Sequence, residues 1–459
     1  MSASLPLESL VATALTALAA GRKERGGPLP AATPAEVEAA VDAALAGEAL
    51  PLDGVGEEEA LATLAATVAA GAADPADPAC TGHLHCPPLE VAVAADLVAS
   101  ALNQSMDSWD QAPAATVLEE RVVEALGDLA GLSGAAGVIT TGGTASTYTA
   151  LMLARDAAPD PVTVFSSELA HFSADRGTHL LGLGEVVKVP CDADQRMDVT
   201  ALARLLAGCP AGTRPIVVAT AGTTDFGSID PLREIAGLVH ARGGWVHVDA
   251  AYGGGLLFSQ QHRHLLDGLE LADTVSLDLH KLGWQPAAAG VLLARGPELF
   301  GPLARRAAYL NPLDDEESGY TSLLGRSLRT TRRADVLKIA VTLRALGITG
   351  LGERVDTCLE LAGYAAEAVR RRPDLQLLCD PVLSTVVFRY VGPAGTADDE
   401  VNGRLRRALL ASGKAVVGRT EHEGRVQLKL TVLNPVATRA DVDSVLDLVV
   451  AAGRAEQAR

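Results

Sequence analysis

Aromatic residues and basic charge are both scarce in this chain of 459 residues. Aromatics account for 3% of the residues, so the core has to be built from Ala, Val and Leu. A hydrophobic content of 48% with 21% charged residues is sufficient for that and excludes global disorder. The net charge of −19 argues against nucleic acid or an anionic membrane as a partner, because both require basic patches.

Cysteines are few and carry no C-x-x-C spacing; they are Cys80, Cys86, Cys191, Cys209, Cys358 and Cys379. We therefore expect neither a metal site nor a disulfide framework, and a reducing, cytoplasmic location. The first 20 residues lack a basic stretch before their apolar part, so they predict an amphipathic or buried helix rather than a signal peptide. The sequence has no apolar run of transmembrane length.

Three regions differ in their patterning. Residues 1–79 are Ala-rich with helical spacing and predict a helical N-terminal segment that could pack against a partner subunit. In residues 80–335, short apolar runs alternate with helical patterns, which predicts a mostly parallel sheet covered by helices on both faces. The runs are GVITT, VTVFSS, EVVKVP, PIVVATAG, WVHVDAA, TVSLDL and GVLLA. Residues 336–459 predict a smaller α+β domain that begins with a long helix and ends with a helix from about Arg439.

The first predicted strand is followed by a Gly-Gly turn, GVITTGGTAS, which leads into a helix. Small side chains, hydroxyls and free backbone N–H groups at a helix N-terminus form a cradle for an anion. The residues concerned are Thr141, Gly142, Gly143, Thr144 and Ser146. A tight turn that merely requires glycine explains the same pattern.

Two further strands end in polar residues, where open α/β sheets bind their ligands. ATAGTTDFGSIDPL places Thr223 and Thr224 at one strand end, where they could reach a ligand or close the turn, and Asp230 before Pro231 predicts a helix N-cap. Asp249 ends the apolar run WVHVDAA. A buried carboxylate needs a partner, which could be a protonated pyridine nitrogen, an Arg or a helix start.

A His and a Lys complete the set. His171 lies in an apolar neighbourhood, where it could stack on a flat ligand or simply belong to the core. Lys281 lies in SLDLHKLGWQP, among Leu279, Leu282 and Trp284. A desolvated amine there would be a nucleophile suited to a Schiff base, whereas a structural Lys would extend past the apolar residues to water.

An anion cradle, an acid for a pyridinium, a flat stacking group and a nucleophilic Lys together indicate pyridoxal 5′-phosphate as the cofactor. The chain resembles the group II pyridoxal-phosphate-dependent amino-acid decarboxylases of fold type I, from about residue 80 onward. The family's motifs occur in its order, as NQSMDSWDQAPAATVLEE, TTGGTAS, ATAGTTDFGSIDPL, HVDAAYGGG, DLHK, YLNPLDDEE, TTRRADVLK and LNPVAT. Several of them most resemble the bacterial branch that decarboxylates diaminobutyrate, lysine and related diamino acids.

The resemblance implies a role for each matching residue. Lys281 would hold the cofactor and Asp249 would pair with its ring nitrogen, with His171 and Ala251 on the two ring faces. Gly143, Thr144 and His280 would contact the phosphate, and Thr223 would lie near the ring. The positions that would line the substrate pocket are His85, Asn103 and Lys429, the last where relatives often carry an Arg that binds the substrate carboxylate.

The chain departs from the family pattern at GGTASTY, at Arg176 and at HKLGWQPAAAG, which bears on substrate choice more than on reaction class. The resemblance implies an amino-acid substrate, most closely a basic diamino acid, and a homodimer. Four alternatives remain at this level: decarboxylation of an aromatic or acidic amino acid, oxidative deamination to an aldehyde, a transaminase or carbon–sulfur lyase, and a non-catalytic scaffold.

The last prediction concerns residues 309–330, YLNPLDDEESGYTSLLGRSLRT, which are polar and carry four consecutive acids. Such a segment buries little and should be mobile, as a plain surface loop would be. Its position matches the family's lid, which implies that Tyr320 returns the proton to Cα.

Overall fold

A computed structural model describes residues 5–304, 306–393, 395 and 397–459. Within these ranges the helices are α1 (Leu7–Arg25), α2 (Pro34–Ala44), α3 (Glu57–Gly71), α4 (Glu90–Leu102), α5 (Pro113–Leu129), α6 (Gly143–Asp156), α7 (Ser173–Leu181), α8 (Val199–Ala207), α9 (Leu232–His240), α10 (Leu313–Glu317), α11 (Val336–Arg370, with a break at Gly347), α12 (Asp399–Ala411) and α13 (Arg439–Gln457). Short 3₁₀ helices lie at Gly253–Phe258, Arg263–Leu266, Leu269–Leu271, Pro297–Leu303 and Leu324–Arg326.

The strands form two sheets. The larger sheet holds β1 (Ala136–Thr140), β2 (Val162–Ser167), β3 (Val187–Val189), β4 (Arg214–Thr220), β5 (Trp245–Ala250), β6 (Thr274–Asp278) and β7 (Gly290–Ala294), in the order β1-β7-β6-β5-β4-β2-β3. The smaller sheet holds β8 (Leu375–Leu377), β9 (Thr385–Tyr390), β10 (Gly418–His422) and β11 (Arg425–Thr431), in the order β10-β11-β9-β8.

The larger sheet brings the polar strand ends together. Strands β6, β5, β4, β2 and β3 are parallel, while β7 is antiparallel to both of its neighbours, so that β1 runs in the same direction as β6. The carboxyl ends of β1, β2, β4, β5 and β6 therefore meet at one edge. Every residue of β1, β5, β6 and β7 is buried, as expected for a sheet with helices on both faces.

The chain forms two compact units. One comprises Met1–His83, Leu361–Asp380 and Val386–Arg459, and the other comprises Leu84–Glu360 and Pro381–Thr385. Within the first unit, residues 76–81 bond to the C-terminal region: Thr81 N donates to Val416 O at 2.9 Å and Val416 N donates to Ala79 O at 2.9 Å. The division at residues 79 and 335 stays a prediction.

The sequence patterns predicted this architecture well. All seven apolar runs are strands of the larger sheet, and the mostly parallel α/β class is confirmed. Strand β8, only three residues long, was not predicted. None of the helices in the described ranges is both long enough and apolar enough to cross a membrane.

One local prediction was wrong. Asp230 is not the N-cap of α9; that position belongs to Pro231, which has no side-chain cap bond. The Asp230 carboxylate instead accepts hydrogen bonds from Met197 N at 2.7 Å and Thr220 N at 2.8 Å. It thereby fixes the end of β4, and its complete burial raises its pKa to about 6.

Candidate active site

The loop between β6 and β7 presents Lys281 at the edge where the strand ends meet. It closes tightly, since Lys281 N donates to Asp278 O at 3.2 Å and Gln285 N to Leu279 O at 3.0 Å. Gly283 is required because a Cβ there would lie 2.5 Å from Leu279 O. The apolar neighbours expected from the sequence are present, as Leu279, Leu282 and Trp284 are all buried.

A cavity of about 290 Å³ lies in front of this loop. It is lined by the turn after β1, by His171, and by the ends of β4, β5 and β6; the lining residues are Thr141, Gly142, Gly143, Thr144, Ala145, His171, Thr220, Gly222, Thr224, Asp249, Ala251, Tyr252, Asp278, His280 and Lys281. Seven of the nine residues expected to hold the cofactor are in this set, namely Gly143, Thr144, His171, Asp249, Ala251, His280 and Lys281.

The turn after β1 brings the N-terminus of α6 to the cavity. Gly142 has a φ of 147°, and a Cβ on Gly143 would lie 2.8 Å from Cβ of Ala251, so neither position tolerates a side chain without adjustment. The first N–H groups of a helix have no intrahelical acceptor, so this end of α6 can bind an anion. Ser146 lies behind the turn, fully buried, with its hydroxyl 2.8 Å from that of Thr140.

Asp249 lies near the end of β5, opposite Ser276 of β6. Its Oδ1 accepts hydrogen bonds from Ser276 Oγ and from Ala251 N, both at 3.1 Å. Within the described ranges both of these bonds fall on Oδ1, which leaves Oδ2 for a ligand. Two residues earlier in β5, burial lowers the pKa of His247 to about 4, so a neutral imidazole lies on the same face of the strand as this carboxylate.

Two histidines in the cavity are also held neutral, because burial lowers the pKa of both His171 and His280. His171 Nδ1 accepts a hydrogen bond from Ser173 N at 3.2 Å, and His280 Nδ1 accepts one from Ala289 N at 3.3 Å. The proton of each neutral ring therefore lies on Nε2, where it can be donated to a ligand.

The two threonines after β4 have different surroundings. Thr223 is buried, and its hydroxyl lies 2.7 Å from that of Ser228 while accepting from Ser228 N at 3.1 Å. It closes the turn. Thr224 lines the cavity instead, together with Thr220 from the last position of β4. The sequence left open whether these threonines reach a ligand or close the turn. Thr223 closes the turn, whereas Thr224 lines the cavity.

Four predicted residues lie elsewhere. His85 is exposed, in a segment that contacts the Lys281 loop through a 2.8 Å bond from Leu89 N to Trp284 O. Asn103 is exposed at the end of α4, and Tyr320 is half exposed, with its ring 6.1 Å from that of Trp109. Lys429 belongs to the other compact unit, where it is buried in β11 and lines a cavity of about 340 Å³ with Arg406 and Arg419.

Sequence reasoning missed Asp278, although it lies inside the DLHK motif. Its Oδ2 is 3.1 Å from Lys281 Nζ and 3.5 Å from His280 Nε2. The signal was the period-two pattern of β6, which puts Thr274, Ser276 and Asp278 on one face, the face that carries Ser276 to Asp249.

These residues fit pyridoxal phosphate. The start of α6 suits its phosphate, Asp249 Oδ2 suits its ring nitrogen, and Lys281 Nζ suits its aldehyde. Two buried atoms of the cavity wall, Thr220 Oγ1 and Asp278 Oδ1, have no hydrogen-bond partner in the described part of the protein. Buried polar atoms are normally paired, so both indicate a polar ligand at this place.

Comparison with known proteins identifies the class. Residues 41–391 match the model of the pyridoxal-dependent decarboxylase conserved domain, and the chain belongs to this family. It is a pyridoxal-phosphate-dependent amino-acid decarboxylase of fold type I, as the motifs predicted.

Individual relatives indicate which branch of the family the chain resembles most. The chain is 47% identical to the L-2,4-diaminobutyrate decarboxylase of Rhizobium meliloti (strain 1021) over 410 residues, which cover 87% of this chain and 83% of that one. A crystal structure from Vibrio parahaemolyticus, of the glutamate decarboxylase domain of diaminobutyrate-pyruvate transaminase and L-2,4-diaminobutyrate decarboxylase, superimposes with a TM-score of 0.87 at 35% identity, covering 98% and 96% of the two chains. The Oryza sativa TDC structure with PLP and tryptamine gives 0.89 at 25% identity, covering 98% of each chain.

Proposed function

We propose that this enzyme decarboxylates L-2,4-diaminobutyrate to 1,3-diaminopropane and CO₂, with lysine and ornithine as poorer substrates. The observation that carries the substrate is the 47% identity to an L-2,4-diaminobutyrate decarboxylase over 87% of the chain. The bacterial relative from Acinetobacter baumannii, at 37% identity, has the same activity in its name.

In this proposal Lys281 Nζ holds the cofactor covalently and Asp249 Oδ2 accepts a hydrogen bond from its ring nitrogen. The N-terminus of α6, with Gly143 and Thr144, binds the phosphate, and the proton on Nε2 of His280 is available to the same group. Bound pyridoxal phosphate supplies a sink for the electron pair that the departing carboxylate leaves on Cα. Asp249 sustains that sink because a carboxylate keeps the neighbouring ring nitrogen protonated.

His171 and Ala251 would contact the two faces of the ring, and His171 can do so without bringing a charge, since burial lowers its pKa. Ser146 and Thr223 would support the site from behind, through the hydroxyl bonds to Thr140 and Ser228. Neither hydroxyl would then touch the cofactor, so Ser146 and Thr223 would contribute to cofactor binding only by supporting the turns that do.

His85, Asn103 and Lys429 remain the proposed substrate residues, with the Lys429 ammonium binding the substrate carboxylate. Tyr320 is the proposed donor of the proton that replaces CO₂ at Cα. Its half-exposed position against Trp109 is compatible with a segment that changes place during turnover.

We further propose a homodimer in the cytoplasm. Large apolar side chains are exposed on three N-terminal helices: Leu7, Leu15 and Leu18 on α1, Leu64 and Val68 on α3, and Val91, Val93, Leu97, Val98 and Leu102 on α4. The helices α1 and α3 belong to one compact unit and α4 to the other, and exposed apolar side chains in such numbers are typical of a protein interface. All six cysteines are unpaired, as suits a reducing compartment.

A substrate panel tests the proposed reaction. Holoenzyme incubated with diaminobutyrate, ornithine, lysine, glutamate and an aromatic amino acid should release CO₂ and the matching amine, with diaminobutyrate giving the highest kcat/KM. A preference for glutamate or the aromatic amino acid would overturn the substrate assignment. Aldehyde with peroxide in place of amine would overturn the reaction type.

A further inference from the structure

A second carboxylate lies in the cofactor cavity, and the reaction as described gives it no role. Asp278 is the last residue of β6 and is buried, with 4% of its side chain exposed. Its Oδ2 is paired with Lys281 Nζ at 3.1 Å, while its buried Oδ1 has no hydrogen-bond partner within the described ranges.

This carboxylate lies against the anion cradle. A Cβ on Gly142 would be 3.6 Å from Asp278 Oδ1, and a Cβ on Gly143 would be 3.4 Å from Asp278 Oδ2. Gly142 is the N-cap of α6 and Gly143 is its first residue, and the start of this helix lines the cavity. A phosphate bound there is therefore a close neighbour of an acidic side chain, and two anions in contact repel one another strongly at a buried site.

The other groups around Asp278 do not remove this conflict. His280 and His171 are neutral, because burial lowers the pKa of each. Asp249, from β5, adds a further negative charge, and Lys338 from α11 acts on His280 rather than pairing with Asp278, since its Nζ binds Asp96 and Asp335. Lys281 is the cation in contact with Asp278, and it is the residue that the cofactor engages.

We propose that Asp278 takes up a proton from solvent when the cofactor binds and, as a neutral carboxylic acid, donates a hydrogen bond to the cofactor phosphate. This inference rests on the proposed placement of the phosphate at the start of α6. The proton goes to Asp278 rather than to Asp249, because Asp249 Oδ1 already accepts two hydrogen bonds that stabilise its anion. Asp278 Oδ1 has none among the described residues, so an added proton there displaces no donor.

Proton uptake makes cofactor affinity depend on pH, which can be measured without turnover. Apoenzyme is titrated with pyridoxal phosphate by calorimetry at pH 8, where the phosphate is a dianion, in buffers of different ionisation enthalpy. The wild type should take up about one proton more than Asp278→Asn, whose amide donates without titrating. Between pH 7 and 9 the wild-type affinity should lose up to about tenfold per pH unit relative to the variant, as uptake of a single proton requires.

Two controls isolate the effect. Asp53→Asn, a change at an exposed carboxylate, should behave as the wild type. Pyridoxal, which lacks the phosphate, should give the same proton count with the wild type and with Asp278→Asn. If the Asn variant does not fold, infrared difference spectra of the wild type alone should show a carboxylic-acid band appearing with pyridoxal phosphate and not with pyridoxal.

The outcomes separate this inference from the proposed function. Tight binding with equal proton uptake in the wild type and Asp278→Asn, or no carboxylic-acid band in the wild type, overturns the role of Asp278 and leaves the decarboxylase intact. Failure of the wild type to bind pyridoxal phosphate at this cavity overturns both. An extra proton that depends on both the phosphate and Asp278 supports the inference.

Discussion

The floor of the cavity, by which we mean Asp249, Asp278 and Lys281, differs from the segment 309–330 in how firmly its residues are held. Asp249 and Asp278 are buried at strand ends, and each is bonded to a neighbour in the same site. In the segment, by contrast, Tyr309 is 84% exposed and Tyr320 is 51% exposed. Groups that set the cofactor's electronics need fixed geometry, whereas a group that meets the substrate after it enters has to move.

The segment is itself divided. Its second half is anchored, since Ser322 Oγ donates to Asp107 O at 3.1 Å and Arg326 pairs with Glu120 at 3.2 Å. Its first half, around α10, is largely exposed. If the segment is a lid, its moving part ends near residue 321, which is narrower than the sequence implied.

The largest expected loss of activity follows from replacing Lys281 at the floor of the cavity. Lys281→Ala should lower kcat by more than about 10⁴-fold, because the covalent step has no substitute and residues that act as a unit show losses of this order. Lys414→Ala, at an exposed lysine, is the matched control and should keep normal turnover. Comparable turnover in the two variants would contradict the role of Lys281.

The second largest expected loss of activity follows from replacing Asp249, also at the floor of the cavity. Asp249→Asn keeps the shape but removes the negative charge beside the ring nitrogen, so kcat should fall by about 10²-fold or more, as when a strong electrostatic contributor is lost. Cofactor should still bind through its phosphate. Ser276→Ala, which removes one donor to Asp249 and no charge, should cost less. Wild-type activity in Asp249→Asn would refute this role.

The threonines after β4 sharpen the contrast between residues that face the cavity and those that support it. Thr224→Val should weaken cofactor affinity, because this side chain lines the cavity. Thr223→Val should leave cofactor affinity nearly unchanged and lower the free energy of unfolding by about 1–3 kcal/mol, because the buried Ser228 N loses the acceptor that Thr223 Oγ1 provides. Equal cofactor affinities in the two variants would remove Thr224 from the site.

The smallest effect belongs to the segment. Chymotrypsin should cut the free enzyme after the exposed Tyr309 or Tyr320, which lie in the exposed half of the segment, and a bound substrate analogue should slow the cut. Tyr320→Phe should leave KM nearly unchanged while lowering amine formation and raising the share of aldehyde. Trp109→Leu, which removes the ring next to Tyr320 but no proton donor, is the control. Unchanged rates and products in Tyr320→Phe would exclude it as the proton donor.

Sequence patterns picked out residues that line one cavity, because the signals for these residues are local. An apolar run that ends in Asp249 and a Lys among buried leucines are visible in short stretches, and sheet topology brings their ends to one edge. The mostly parallel sheet needed no more than the alternation of strands and helices, whereas the strand order and the antiparallel β7 were not predicted. Side-chain roles that depend on a partner far along the chain were harder to predict from the sequence.

Asp230, Thr223 and Asp278 illustrate that difference. Asp230 was expected to cap α9 but bonds to Met197 and Thr220, one of them 33 residues away. Thr223 and Thr224 are adjacent and identical, and only the turn geometry sends one hydroxyl to Ser228. Asp278 lies against Lys281 and against Gly142 and Gly143 at the start of α6, a neighbourhood that no single stretch of sequence contains.

Chemical trapping of the cofactor tests the central claim most directly. Holoenzyme reduced with borohydride, digested and analysed by mass spectrometry should carry one pyridoxyl phosphate label per chain, on the peptide that contains Lys281. The absorption band of the bound cofactor should disappear in the same step, and Lys281→Ala should remain unlabelled. A label on another lysine, or an equally labelled Lys281→Ala variant, would contradict the assignment of this cavity as the active site.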